Sequence, residues 1–357
     1  ISLTQVKENK KSSAETDGSN VKTIRGIPKL IDANNAGTSK SKDCTLILCE
    51  GDSAKAGIVS GLCKEDRNFY GVYPLKGKLM NASDIIPAKL NQNKEIADIK
   101  RIMGLKSDYK YVSIDLVHKE LRYGKIMFMT DQDLDGSHIK GLCINLFHAQ
   151  WPELMKINSF LGFMNTPIIK ARKGQNEVNF YTEQEYDEWK KNEDTKGWSV
   201  KYFKGLGTST AKEFKQYFRE KKTIGFEYSG NECYDAIDLA FNKKRADDRK
   251  DWLCDYNKEA VVDIKSGNIS FKRFTDEEMI HFSKYDCERS IPNLMDGLKI
   301  ASRKVLYSAF KRNLTKEVKV AQFSGYISEH SCYHHGEASL VGTIIGMAAE
   351  YIGNNNI

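Results

Sequence analysis

The chain has 357 residues, 40% hydrophobic and 29% charged, which is enough apolar material for more than one buried core. Its 55 Lys and Arg against 48 Asp and Glu leave a formal charge of +7, an excess so small that where the basic residues cluster matters more than their sum. No apolar run is long enough to cross a bilayer, the N-terminus is polar rather than signal-like, and the eight cysteines stand singly with no Cys-x-x-Cys pair. A membrane partner, a secreted disulfide framework and structural zinc are therefore disfavoured.

Residues 1–43 are rich in Lys, Ser, Asn, Asp and Gly with little periodicity, and read as a linker or flexible arm. From 44 to 160 strand and helix alternate, as in a compact α/β unit. A buried parallel strand over Thr45–Cys49 ends in Glu50, and a helix follows from Ser53. A strand at Tyr70–Leu75 and a helix at Lys94–Met103 come next. The apolar run Lys125–Thr130 is then a strand that runs out into Asp131, Asp133 and Asp135 before a helix expected over Ser137–Met155. Residues 161–285 mix strands at Val178–Tyr181 and Val200–Phe203 with helices at Glu183–Lys191, Ala211–Arg219 and Cys233–Phe241, an extension of the first domain plus a helical connector. From 286 onward the pattern becomes helical, with helices expected over Asn293–Arg312, Glu317–Glu329 and Glu337–Ile352. Basic residues on the first of these fit a helix-turn-helix type DNA binder.

The acids carry the chemistry. In an extended segment alternate side chains share a face, so Asp131, Asp133 and Asp135 can point the same way. Ligands of open α/β sheets bind beyond the carboxyl ends of the strands, which puts Glu50 at the same place. Clustered carboxylates without Cys or His select a hard ion, Mg²⁺ or Mn²⁺, and suit phosphate chemistry. The rival reading, a calcium loop opening with Asp-x-Asp-x-Asp-Gly, needs a Glu where Leu142 stands. A solvated acidic turn is the plainer alternative.

Smaller signals follow. Lys76-Gly77-Lys78 after a strand sets two point charges around a flexible backbone. Gly205-Leu206-Gly207-Thr208 precedes a helix whose first amides suit a phosphate. No Gly-x-x-x-x-Gly-Lys-Ser/Thr loop occurs, so nucleotide hydrolysis is not encoded here. Basic residues gather at Lys243, Lys244, Arg245, Arg249 and Lys250, and again between Lys299 and Lys319, as for a polyanionic partner. The adjacent His334 and His335 lack the four-residue spacing of a zinc pair.

Taken in order, Glu50-Gly51-Asp52-Ser53-Ala54-Lys55, Pro74-Leu75-Lys76-Gly77-Lys78, the aspartate run to His138, Lys204-Gly205-Leu206-Gly207-Thr208, Arg289-Ser290-Ile291-Pro292 and Tyr333-His334-His335-Gly336-Glu337 resemble the type IIA DNA topoisomerases of eukaryotes, over nearly the whole chain. The resemblance implies an α/β TOPRIM domain with a Rossmann-like parallel sheet, followed by the N-terminal part of a mainly α winged-helix module. It implies that Glu50, Asp131, Asp133 and Asp135 are catalytic and hold Mg²⁺, for which Mn²⁺ or Ca²⁺ can substitute. Lys78, Asn81, Lys243, Lys244, Lys299, Tyr333 and Ser339 match DNA-contacting positions. It further implies double-stranded DNA as substrate, a phosphotyrosyl intermediate, a homodimer in the nucleus, and ATP use only in the intact protein. The family's nucleophilic tyrosine follows an arginine downstream of a segment like 352–357, so Tyr351 is not assigned to that role. The chain reads as a piece that lacks the attacking tyrosine and the ATPase domain, and alone it is expected to be inactive. Two departures stand out: Ile300-Ala301-Ser302 replaces the family's usual Pro and Gln before Arg303-Lys304, and residues 258–273 line up poorly. A metal-dependent nuclease or primase of the TOPRIM type, and a noncatalytic DNA-binding protein, remain the alternatives.

Overall fold

A computed structural model describes residues 3–203, 205–263 and 266–350, so Tyr351 and the segment 352–357 lie outside the described residues. The chain divides into two compact units, residues 1–282 and 283–357.

The first unit is built on a six-stranded sheet in the order β2-β1-β3-β4-β8-β9. Its strands are β1 (Thr45–Glu50), β2 (Tyr70–Leu75), β3 (Lys125–Met129), β4 (Leu161–Met164), β8 (Thr223–Glu227) and β9 (Asn268–Ser270). Strands β2, β1, β3 and β4 run parallel, β8 is antiparallel to β4, and β9 is parallel to β8. Alternation along β1 and β3 divides the core by face. Leu46, Leu48, Ile126 and Phe128 pack on one side with Ile139, Leu142, Cys143 and Phe147. Ile47, Cys49, Met127 and Met129 pack on the other with Ile58, Phe214 and Phe218. Helices therefore cover both faces, and the carboxyl ends of the parallel strands stay open at one edge.

A second, antiparallel sheet, β6-β5-β7, is formed by β5 (Ile169–Lys173), β6 (Asn176–Phe180) and β7 (Ser199–Tyr202). It packs Ile169, Ala171 and Phe180 against Tyr186, Trp189 and Trp198. Patterning anticipates β6 and β7 but not β4, β5, β8 or β9, although polar and apolar residues alternate in β5 and β8.

Three expectations are corrected. The arm expected over residues 1–43 is packed: the helix Leu3–Thr16 lies against Lys94–Met103, Ile27, Ala33 and Ala36 are buried, and Ile31 bridges to Val72 of β2. What holds this segment is polar. The Lys100 ammonium, 2% exposed, donates to Thr16, Asn91 and Ser107 and pairs with Asp17 at 3.0 Å. The fully buried Arg122 donates to the carbonyls of Val21, Lys22 and Ile102 and pairs with Asp32. Anchors of this kind leave no hydrophobic period to read. The helix expected over Ser137–Met155 runs instead over Leu134–Gln150 and breaks at Trp151, because Pro152 lacks an amide and disfavours helix in the residue before it.

In the second unit the expected helix Asn293–Arg312 begins only at Ile300. Gly297 takes a positive φ of 68°, its amide bonds back to the Asn293 carbonyl, and the Asp296 carboxylate accepts from the Leu298 amide, all of which make a turn. Helices Ile300–Lys311, Val320–His330 and Glu337–Ala348 pack Val305, Phe323, Ile327, Leu340 and Ile344 into a small core.

Candidate metal centre

Register gathers the acids. Cys49 lies opposite Met129 in adjacent parallel strands, so Glu50 and the residues after β3 leave the sheet side by side. The aspartates do not reach their places by strand alternation. Strand β3 stops at Met129; Asp133 is the N-cap of the following helix, its carboxylate accepting from the Gly136 amide at 2.7 Å, and Asp135 sits in the first helical turn. A helix N-terminus favours negative charge, which offsets part of the mutual repulsion.

Each aspartate has a protein partner. Asp131 Oδ1 accepts from the Leu206 amide at 2.7 Å, and Asp135 pairs with the Lys78 ammonium at 2.7 Å. Burial, opposed by the Leu206 amide, raises the Asp131 carboxyl above its ordinary value. In Glu50 the Oε2 is buried and has no hydrogen-bond partner among the described residues, although the Asp131 backbone hydrogen-bonds the same carboxyl group. Burial first, and then the charges of Asp131, Asp133 and Asp135, push its carboxyl up to about 7.

Among the described residues no three acidic, His or Cys side chains stand close enough to hold a metal ion together. The acids converge without closing, as repelling carboxylates do when each is drawn to its own donor. A buried carboxylate oxygen lacking a partner, under the charge of three more carboxylates, nonetheless fits a hard divalent cation, and Glu50, Asp131, Asp133 and Asp135 are the residues that would hold it.

The raised Glu50 carboxyl gives a test in the metal-free chain. Because its folded value lies above the unfolded one, the fold is favoured when Glu50 is protonated. That stability is full below about pH 4.5 and is lost as pH rises through 7. Glu50→Gln should therefore raise stability at pH 8 by about 1–2 kcal/mol, discounted for partial solvation, and change nothing near pH 4.5. Urea midpoints at the two pH values, equal for variant and parent at pH 8, would refute this.

The glycine-rich loop has a role that sequence reading misplaces. Its Leu206 amide serves Asp131 rather than a phosphate, and the following helix Ala211–Glu220 satisfies its own first turn through a Thr210–Glu213 capping box. Glycine is needed at 205, where a Cβ would stand 2.2 Å from the Asp131 carboxylate. Nothing in the spacing announces this pairing, since 75 residues separate Leu206 from Asp131 in sequence.

The expected DNA contacts are placed unevenly. Lys78 lies at the acids and over the Phe282 ring at 4.6 Å. Asn81 uses its amide on the protein, donating to the Phe241 carbonyl and accepting from Ser83 and Asn145. Lys243 and Lys244 are exposed, whereas Arg245 is held by Asp235 and Asp248, Lys250 by Asp247, and Arg249 by the Leu239 and Asn242 carbonyls. In the second unit Lys299 and Ser339 are exposed, at the start of the Ile300–Lys311 and Glu337–Ala348 helices, while the Tyr333 ring is 9% exposed in the core.

Residues 45–159 match the Toprim domain, 164–287 the C-terminal associated domain of TOPRIM, and 289–357 the family of the A subunit of DNA gyrase/topoisomerase IV. The chain is 53% identical over 356 residues to DNA topoisomerase 2 of Plasmodium falciparum (isolate K1 / Thailand), covering 99% of this chain and 25% of that protein. It is 49% identical over 349 residues to DNA topoisomerase 2-beta of Homo sapiens, covering 94% of this chain and 21% of that one. The crystal structure of the Plasmodium falciparum topoisomerase II DNA-binding, cleavage and re-ligation domain superposes with a TM-score of 0.82 at 54% identity, over 94% of this chain and 46% of that one. The chain thus spans about a quarter of the length of these curated relatives. Matches of this kind run in order through nearly all of it: the chain carries Toprim and DNA gyrase/topoisomerase IV A-subunit domains and is about half identical, over nearly its whole length, to a segment of the eukaryotic DNA topoisomerase 2 proteins.

Proposed function

We propose that this chain supplies the metal-holding and part of the DNA-holding machinery of an ATP-dependent type II topoisomerase, which cuts and rejoins both strands of duplex DNA through a phosphotyrosyl intermediate. The observation that carries this reading is the buried, unpartnered Glu50 Oε2 beside three aspartates at the open end of a parallel sheet. Mg²⁺ is the ion the all-oxygen donor set suits, with Mn²⁺ or Ca²⁺ as substitutes. When bound, it stabilises charge on the leaving 3′ oxygen. The chain's own groups do the rest: Asp131 is held in place by the Leu206 amide, Lys78 offers a cation to phosphate at the same edge, and Glu50 presents a buried oxygen without a hydrogen-bond partner among the described residues. The resemblance that supports this reading also supports action as a homodimer in the nucleus. The attacking tyrosine is not assigned to any described residue.

Calorimetric titration with Mg²⁺ tests the centre, with heat of binding expected for the chain and none for Glu50→Gln. Equal binding by both would sink the assignment. For DNA, Lys243→Ala with Lys244→Ala should weaken binding uniformly across sequences and lower the salt slope by about 2, one phosphate contact per lysine. Lys250→Ala, already paired with Asp247, should change the slope little. Unchanged slopes in the double variant would place the phosphate contacts elsewhere.

A further inference from the structure

Glu278 lies in a π-helical turn, Thr275–Met279, a geometry that re-aims side chains relative to an α-helix and recurs at functional sites. The turn packs on the Leu134–Gln150 helix at Gly141, where the Met279 sulfur fills the space a Cβ would take. At this contact Glu278 Oε1 accepts from the Ser137 hydroxyl at 2.7 Å and from the Lys140 ammonium at 2.5 Å. The Lys140 side chain is only 3% exposed, and its other neighbours include the rings of Phe163 at 4.4 Å and Phe274 at 5.8 Å. Glu278 is the carboxylate that pairs with this enclosed lysine, and a buried charge left without its partner is costly. Ser137 in turn donates its amide to the Asp133 carbonyl at 3.1 Å. One carboxylate from a distant part of the chain therefore grips the first two turns of the helix that opens with Asp133 and Asp135.

We propose that Glu278 is a positioning residue of the carboxylate centre: through Ser137 and Lys140 it fixes the helix start, and so the places from which Asp133 and Asp135 present their oxygens. The inference rests on the metal reading given above. It gives the region that follows the Toprim match a second positioning task, beside that of the Leu206 amide on Asp131. Outer partners of this kind orient ligands that already have the right chemistry, and losing one costs about 10–100-fold in metal affinity.

The experiment uses the 357-residue chain, Mn²⁺ binding read by electron paramagnetic resonance, and urea midpoints on the same samples. The double variant Lys140→Met with Glu278→Gln removes both charges, so the net charge near the site is unchanged and no ammonium is left buried alone. It should keep close to the parent stability and bind Mn²⁺ about 10-fold more weakly. Parent-like Mn²⁺ affinity in this double variant would overturn the inference. If it does not fold, Ser137→Ala decides the matter, since it deletes a single hydroxyl; about threefold weaker binding is expected, and unchanged binding overturns the inference. Glu50→Gln serves as the reference. Should it bind Mn²⁺ as the parent does, the metal reading itself fails and the role of Glu278 falls with it, an outcome distinct from failure of the double variant alone.

Discussion

Asp131→Ala or Glu50→Ala, introduced into a longer protein that carries this chain, is expected on the proposed function to lower metal-dependent DNA cleavage by about 10³-fold or more while duplex binding persists. The two acids reach the site from the ends of adjacent strands. Asp131 is held by the Leu206 amide, and a Cβ on residue 205 would stand 2.2 Å from its carboxylate, so its oxygens are seated against this loop. Glu50 carries the buried oxygen that lacks a partner. DNA binding should survive because the exposed Lys243 and Lys244 stand outside the acid cluster and are untouched by either change. A cleavage assay with parallel gel-shift measurements checks both halves, and parent-level cleavage by either variant would remove that acid from the mechanism.

The second large effect is on stability. Arg122→Met should destabilise the first unit by about 3–5 kcal/mol, the cost of breaking a buried ion pair from one side. Arg122 is fully buried; its removal strands Asp32 and leaves the carbonyls of Val21, Lys22 and Ile102 without their donor. Tyr123 also donates to Asp32, so part of that carboxylate's bonding persists. The loss should appear as a lower urea midpoint and early protease cleavage within residues 17–36, since this segment depends on Arg122 for its attachment. A loss below about 1 kcal/mol would mean that apolar contacts of Ile27, Ala33 and Ala36 suffice to hold it.

The parallel core of the first unit is legible because its strands are buried on both faces and read as continuous apolar runs. Thr45–Glu50 and Lys125–Met129 are found within a residue of their expected bounds. Helices with a clear apolar stripe, such as Ala211–Glu220, are equally plain. The second unit shows three helices, but the turn at Asp296-Gly297 shortens the first, because a glycine at positive φ weighs more than the apolar spacing around it. Residues 17–43 mislead for the opposite reason: their order comes from hydrogen bonds to Arg122 and the ion pair of Asp17 with Lys100, which lie far along the chain from the groups they hold.

At the site, residue type and position after a buried strand are local properties, and they suffice to mark Glu50 and the aspartate run as candidate ligands of a hard cation. Which partner each acid takes is a long-range matter. Leu206 for Asp131, Lys78 for Asp135, the burial of Glu50 Oε2, and Glu278 gripping the helix that carries Asp133 all depend on where distant segments pack. Periodicity records only what a residue and its near neighbours prefer. Hydrogen bonds and charge across the fold are settled once the chain has closed on itself.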